Sequence, residues 1–146
     1  MSSTWVVNAS PVIILAKIGQ LHLLEALANP LLLPVAVAKE LLAGPAEDSA
    51  RAAVARGWGQ QCLPKQIPEE IVEWGLGAGE SAVLALCLEY ESFTAVLDDA
   101  GARAAARSLG VPLIGTLGVV VRAWLRAAGL YLDDTVIRTA LKRIGE

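Results

Sequence analysis

The sequence predicts an α/β fold with a small parallel sheet, and two observations lead to this prediction. Short apolar stretches alternate with helical patterns along the whole chain, as strands and crossover helices do in such folds. The apolar stretches also lack polar alternation, which is typical of strands that are covered on both faces. The clearest is 93–97, where five strand-like residues run directly into Asp98 and Asp99.

Length and composition predict one domain, 1–146, with a large core. The chain is 55% hydrophobic with a mean hydropathy of +0.53. Its charge-free stretches are broken by proline and are shorter than the roughly 18 to 20 residues of a membrane span. The first residues lack the basic start and apolar stretch of a signal peptide, so we expect a cytoplasmic protein without a membrane partner.

Charge and cysteine content exclude two classes of site. The net charge of −3 and the pI near 5.2 argue against general affinity for DNA. Cys62 and Cys87 have no CxxC spacing, and His22 is the single histidine. We therefore expect buried free thiols and no zinc site, so any metal would be held by oxygen.

Each element is predicted from apolar runs and from the residues that begin or end helices. Ser10 and Pro11 begin a helix that Gly19 ends, Pro34 opens another, and the pair Gly44-Pro45 ends that one. Thr116 is predicted to cap the helix 117–128, and Asp133 or Asp134 the last helix. The predicted strands are 5–7, 31–33, 61–63, 93–97 and 111–114. The other predicted helices are 12–18, 21–27, 34–42, 46–56, a short one from Pro68, 80–88 and 100–109.

Two adjacent carboxylates, Asp98 and Asp99, follow the clearest strand. One interpretation is a helix cap, in which either residue accepts backbone N–H bonds at the start of the helix 100–109. The other is chemistry, because α/β sheets bind ligands beyond the carboxyl ends of their strands. A cap requires only one of the two.

Three further polar residues interrupt the apolar pattern. Asn8 ends the first strand, and Glu40 lies beside the apolar side of its helix, unless it reaches solvent at the edge. Glu80 stands in the first turn of a helix, at the head of a buried stripe. If these residues converge with Asp98 or Asp99 at one sheet edge, they form an all-oxygen pocket suited to Mg²⁺ or Mn²⁺. Arg103, four residues after Asp99, is interpreted as a surface pair or as a phosphate contact.

These motifs, in this order, resemble the PIN-domain superfamily over about residues 5–130. The matching segments are Asn8-Ala-Ser10-Pro, Lys39-Glu40-Leu41, Gly77-Ala-Gly-Glu80, Leu97-Asp98-Asp99 and Gly115-Thr-Leu-Gly118. The resemblance implies a three-layer α/β/α sandwich, a cluster of acids that binds Mg²⁺ or Mn²⁺, and cleavage of single-stranded RNA. It places Glu40, Glu80, Asp98 and Asp99 as catalytic residues and metal ligands, and we expect Ser10, Arg103 and Thr116 to contact substrate. Many relatives are toxins that pair with an antitoxin protein and form homodimers.

Asn8 departs from the resemblance, because an acid is expected at that position. An amide oxygen can join the acids as a metal ligand but brings no charge, so we expect weaker metal affinity and a preference for Mn²⁺ over Mg²⁺. Three functions follow: a metal-dependent ribonuclease of toxin type, a weakened PIN-like module that binds RNA or a protein, and a phosphohydrolase of another fold. We favour the first. The apolar composition, the four tryptophans and the resemblance also predict a homodimer.

Overall fold

The computed structural model describes residues 4–129 and 134–145, and these form a five-stranded, all-parallel sheet flanked by helices. Its strand order is β3-β2-β1-β4-β5. The strands are β1 (Trp5–Val7), β2 (Leu31–Pro34), β3 (Gln60–Cys62), β4 (Thr94–Val96) and β5 (Leu113–Ile114). The predicted parallel sheet and the PIN-like α/β sandwich are therefore confirmed.

Helices connect all consecutive strands, as parallel pairing requires. In the described residues they are α1 (Ala9–Lys17), α2 (His22–Leu27), α3 (Val35–Leu42), α4 (Ser49–Ala55), α5 (Glu69–Val72), α6 (Ala78–Glu89), α7 (Ala100–Ser108), α8 (Thr116–Ala127) and α9 (Asp134–Arg143). None of these helices is long and apolar enough to cross a membrane.

Helix α6 is the central helix of the core. Gly79 and all residues from Ser81 to Cys87 are buried, and the helix packs against β1, β2, β4 and α3. Burial raises the pKa of the Cys87 thiol to about 12, so this thiol is an inert part of the core. Both cysteines are free, and Cys62 is half-buried rather than buried as predicted. Glu80 is the half-buried exception at the start of α6.

Three helix starts differ from the prediction. Helix α1 begins at Ala9 with Asn8 in the N-cap position, so Ser10 lies inside the first turn and is not the cap. Helix α4 begins later than predicted, at Ser49, because the Asp48 carboxylate accepts the backbone N–H of Ala50 at 3.1 Å. Helix α8 is capped by Gly115 instead of Thr116. Of the two residues predicted to cap α9, Asp133 lies outside the described residues, and Asp134 is already within the helix.

Candidate active site

The parallel pairing of β1 with β4 brings the ends of these two strands together. Val7 is in register with Val96, and the backbone N–H of Asn8 donates to the Val96 carbonyl at 3.1 Å. Asn8 and the Asp98-Asp99 pair therefore leave the sheet at the same carboxyl edge. This is the edge at which α/β proteins bind their ligands.

The Asn8 side chain is buried with an oxygen that has no hydrogen-bond partner. The residue is 5% exposed, and no donor reaches Oδ1. Asn8 occupies the N-cap position of α1, where an asparagine oxygen usually accepts a backbone N–H, but it makes no such bond. Leaving a buried acceptor unsatisfied costs about 1–3 kcal/mol. An oxygen in this state is suited to a ligand that the protein itself does not supply.

Gly79 brings the start of α6 against this oxygen and against Glu40. A Cβ at position 79 would lie 2.9 Å from Glu40 Oε2, 3.2 Å from Asn8 Oδ1 and 3.2 Å from Val37 Cγ2. The contact with Val37, whose side chain is fully buried, is tighter than normal, so the absence of a side chain at Gly79 lets α6 approach α3 this closely. The Glu40 carboxylate lies near the amide oxygen of Asn8, and Glu40 as a residue is exposed.

Glu80 interacts electrostatically with two other acids. Its pKa is raised, first by burial and then by the negative charge of Asp99, with a smaller contribution from Glu40. A hydrogen bond from the Gly77 backbone N–H acts in the opposite direction. Gly77 is the N-cap of α6 and Glu80 is three residues later, which is the spacing of a capping-box glutamate. The bond holds the carboxylate at the head of the helix, facing Asp99 and Glu40.

The two adjacent aspartates have different partners. Asp99 caps α7, since its Oδ2 accepts the Ala102 N–H at 2.9 Å, and it also faces Glu80. Asp98 accepts the Thr116 N–H at 2.8 Å with Oδ1 and the Thr116 hydroxyl at 2.5 Å with Oδ2. Asp98 thus fastens the start of α8 to the end of β4. Its predicted roles as metal ligand and catalytic residue remain predictions, and the geometry favours Asp99 as the acid that faces the others.

The predicted substrate contacts, Ser10, Arg103 and Thr116, differ in their exposure and in their partners. Arg103 is 8% exposed and donates to the carbonyls of Leu97 at 3.0 Å and Gly145 at 3.2 Å. The predicted surface pair with Asp99 is therefore wrong, because the Arg103 side chain is buried, whereas its contact with phosphate stays a prediction. Thr116 bonds Asp98, whereas Ser10 is exposed and its contact with substrate remains a prediction.

The donor atoms at this edge suit a hard divalent cation. They are carboxylate oxygens and one amide oxygen, the ligand types of Mg²⁺ and Mn²⁺, and the unpartnered oxygen of Asn8 is among them. In the part of the chain that the structure describes, no three acidic, His or Cys side chains are close enough together to hold an ion by themselves. The acids of this edge therefore face one another without forming a compact three-ligand cluster.

A sequence model of PIN domains matches residues 4–128. The chain belongs to the PIN-domain family. The match covers every strand and all helices up to α8, and α9 lies beyond it. A comparison with curated proteins finds no significant match. PIN domains have a nuclease-type fold and generally use divalent metals, and both properties agree with the oxygen donors of this edge.

Proposed function

We propose that this PIN domain is a metal-dependent endoribonuclease that cleaves single-stranded RNA. The observation that supports the proposal best is the unpartnered oxygen of Asn8, which is buried beside Glu40 at the edge where Glu80 and Asp99 meet. A structural asparagine at an N-cap would use this oxygen to cap the helix. Here the oxygen makes no such bond and lies near the Glu40 carboxylate, which supports a role in binding a ligand.

Asn8, Glu40, Glu80 and Asp99 would hold the cation, either Mg²⁺ or Mn²⁺. When bound, such a cation polarises a phosphate and lowers the pKa of a water molecule. The chain's own contribution is to position the donor oxygens. Gly79 leaves room for the oxygens of Glu40 and Asn8 beside α6, and the Gly77 N–H orients the Glu80 carboxylate. Burial, and then repulsion by Asp99 and Glu40, raises the pKa of Glu80, and a cation between these acids would relieve the repulsion.

The proposal is tested by RNA cleavage with matched variants. Wild-type protein should cleave a fluorescent single-stranded RNA in Mn²⁺, and less well in Mg²⁺, and should stop in EDTA. Glu80→Gln should reduce the rate by about 10- to 100-fold, an effect typical of disturbed metal sites. Glu91→Gln, which removes an exposed carboxylate from the loop after α6, should leave the rate unchanged. Equal rates for all three proteins would contradict the assignment.

The alternative is a PIN-like module that binds RNA or a protein without cleaving. It is favoured by Asn8, because an amide in place of a carboxylate removes one negative charge from the donor set. Binding of the same RNA with no cleavage in either metal, and no gain of cleavage in Asn8→Asp, would support this alternative over the enzyme.

A toxin role would require an antitoxin partner, and an apolar groove beside the acids supports such a partner. The groove has a volume of about 510 Å³, and Leu63, Ile67, Val72 and Ala78 are among its lining residues. Leu63 is 70% exposed, and Ala78 precedes the glycine that contacts Glu40. Expression of the chain should arrest growth, and the product of a neighbouring small gene should relieve it. Leu63→Asp should block that relief while RNA cleavage persists, and relief by the variant would contradict this docking site.

A homodimer is also proposed, through an apolar face on α1 and α8. Leu117, Val121 and Trp124 are spaced to share one face of α8, and Trp124 is 70% exposed. Ile14 and Ile18 are exposed on the neighbouring α1. Exposed apolar surface of this kind marks association sites. Light scattering should give twice the chain mass for wild type and the chain mass for Trp124→Glu, and a monomeric wild type at high micromolar concentration would refute the dimer.

A further inference from the structure

A second polar cavity lies at the opposite edge of the sheet from the acids. It has a volume of about 430 Å³. Trp5 begins β1 and Thr94 begins β4, and both line this cavity. The cavity extends along β5 to Ile114, whereas the acids follow the carboxyl ends of β1 and β4, and none of these acids lines the cavity.

Four basic side chains line the cavity, which we name the cationic cavity: Arg107 of α7, Arg122 of α8, and Arg138 and Lys142 of α9. No Asp or Glu is among its lining residues in the part of the chain that the structure describes. Arg122 has an interaction of its own within the protein, so Arg107, Arg138 and Lys142 are the cations that the cavity offers to an anion.

Helix α9 is held against the core by its own contacts, which place Arg138 and Lys142 at the cavity. Leu141 is 5% exposed and joins the core, and Ile137 packs against that core. At the end of the helix, the buried Arg103 guanidinium donates to the Gly145 carbonyl at 3.2 Å. Arg138 and Lys142 are four residues apart and therefore lie on the same face of α9.

The remaining lining residues define the rest of the ligand. Trp5, Leu113 and Leu141 give the cavity apolar surface beside the cations. A volume of about 430 Å³ is in the range of small-molecule pockets, roughly 300–1,000 Å³. Arginine in particular matches the geometry of phosphate with its planar fork of donors. A nucleotide combines a phosphate group with a planar base, so its phosphate could contact the cations while its base contacts the apolar surface.

We propose that the cationic cavity binds the phosphate group of a mononucleotide-sized ligand, at a site separate from the carboxylates of the opposite edge. The ligand is either a free nucleotide or the phosphorylated end of an RNA strand, which share this chemistry. The proposal does not depend on nuclease activity, because it uses none of the acids. It depends on α9, which lies outside the part of the chain that matches the PIN family.

The test is calorimetry in EDTA, which keeps divalent metal from the acidic edge. The probes are adenosine 5′-monophosphate, adenosine, and a six-nucleotide RNA with either a 5′-phosphate or a 5′-hydroxyl. The double variant Arg138→Gln/Lys142→Gln removes two cations from the cavity. The matched control Arg126→Gln/Arg143→Gln removes the same charge from exposed positions of α8 and α9 that do not line it. Circular dichroism checks that both double variants are folded.

The phosphorylated probes should bind wild type, and the affinity should fall by about tenfold or more in the cavity variant and change by less than about twofold in the control. Binding of the mononucleotide identifies a free nucleotide as the ligand, whereas binding of the 5′-phosphorylated RNA alone identifies a strand end. The proposal is overturned if adenosine binds as tightly as its phosphate, if both double variants lose the same affinity, or if no phosphorylated probe binds.

Discussion

Replacing Asn8 by aspartate adds a carboxylate where the structure has an unpartnered amide oxygen. Asn8 Oδ1 and Glu40 Oε2 both lie within 3.2 Å of one point, the position of a Cβ on Gly79. The two oxygens are therefore no more than about 6 Å apart, and like charges at that distance repel by roughly 3 kcal/mol at an effective dielectric constant near 20 and by under 1 kcal/mol in water. We expect Asn8→Asp to lower the free energy of unfolding by about 1–3 kcal/mol without metal.

Thermal unfolding measures this loss and its dependence on pH. A domain of this size loses about 2–4 °C of Tm per kcal/mol, so the variant should unfold roughly 3–10 °C below wild type at pH 8 in EDTA. The new carboxylate faces negative charge, as Glu80 does, so its pKa in the folded state should be raised. The loss is then complete above that folded pKa and disappears below the ordinary aspartate value of about 3.9. Saturating Mn²⁺ should reverse the loss and raise the Tm of the variant more than that of wild type.

Asn8→Leu is the control, since it removes the same oxygen and adds no charge. Its stability should not acquire the new pH dependence, and Mn²⁺ should not raise its Tm by more than it raises that of wild type. The reasoning is refuted if Asn8→Asp is as stable as wild type at pH 8 in EDTA and gains nothing from Mn²⁺. In that case the Asn8 side chain does not face the acids.

Three other changes probe the same edge. Gly79→Ala should cost about 1–3 kcal/mol in denaturant titration, because its methyl group lies 3.2 Å from Cγ2 of the buried Val37 and 3.2 Å from the buried Asn8 oxygen. Gly77→Ala, whose added methyl has no atom within 4 Å, should cost under about 0.5 kcal/mol, and equal losses would contradict this contact. Glu80→Gln should stabilise the metal-free protein at pH 8, because the raised pKa of Glu80 means that its charged form is disfavoured in the folded state. The gain in stability should vanish below pH 4.5, the ordinary pKa of this carboxyl. A gain of the same size at every pH would rule out the electrostatic cause. Thr116→Val should cost about 1.5–3 kcal/mol through the lost bond to a charged acceptor while calorimetry shows unchanged metal affinity, whereas a large fall in metal affinity would return Asp98 to the metal site.

Most of the fold could be predicted because each strand is a short apolar run with a polar residue or a turn at its end. The run before Asp98, which forms β4, is the clearest example, and the strand paired with it, β1, is followed by Asn8. Helix starts were harder to predict, because several residues of a turn can serve as caps. Ser10 is a good N-cap residue by type, yet the helix begins one residue before it. The N–H of Asn8 still bonds β4, and the backbone turns directly after this residue.

For the candidate site, the sequence indicated which edge of the sheet its residues occupy but not which groups they contact. The order of the acids along the chain indicated one edge, whereas the choice between Asp98 and Asp99 depended on Thr116, a residue 18 positions away. Arg103 was misinterpreted for a related reason. Its spacing from Asp99 is typical of a surface pair, but the carbonyl that holds it, Gly145, is at the far end of the sequence. No local pattern contains such long-range contacts.

The burial of α6 determines which side of the acidic edge can move. A helix that is covered on nearly all sides opens only when the whole domain unfolds, so its amide hydrogens should be among the slowest in the chain to exchange with solvent. Glu80 is attached to that helix, whereas Glu40 stands on α3, whose outer residues are exposed. Adjustment of the acids to ions of different radius therefore falls to α3. Hydrogen exchange on cation binding should slow at the amides of α3 and stay nearly constant along α6.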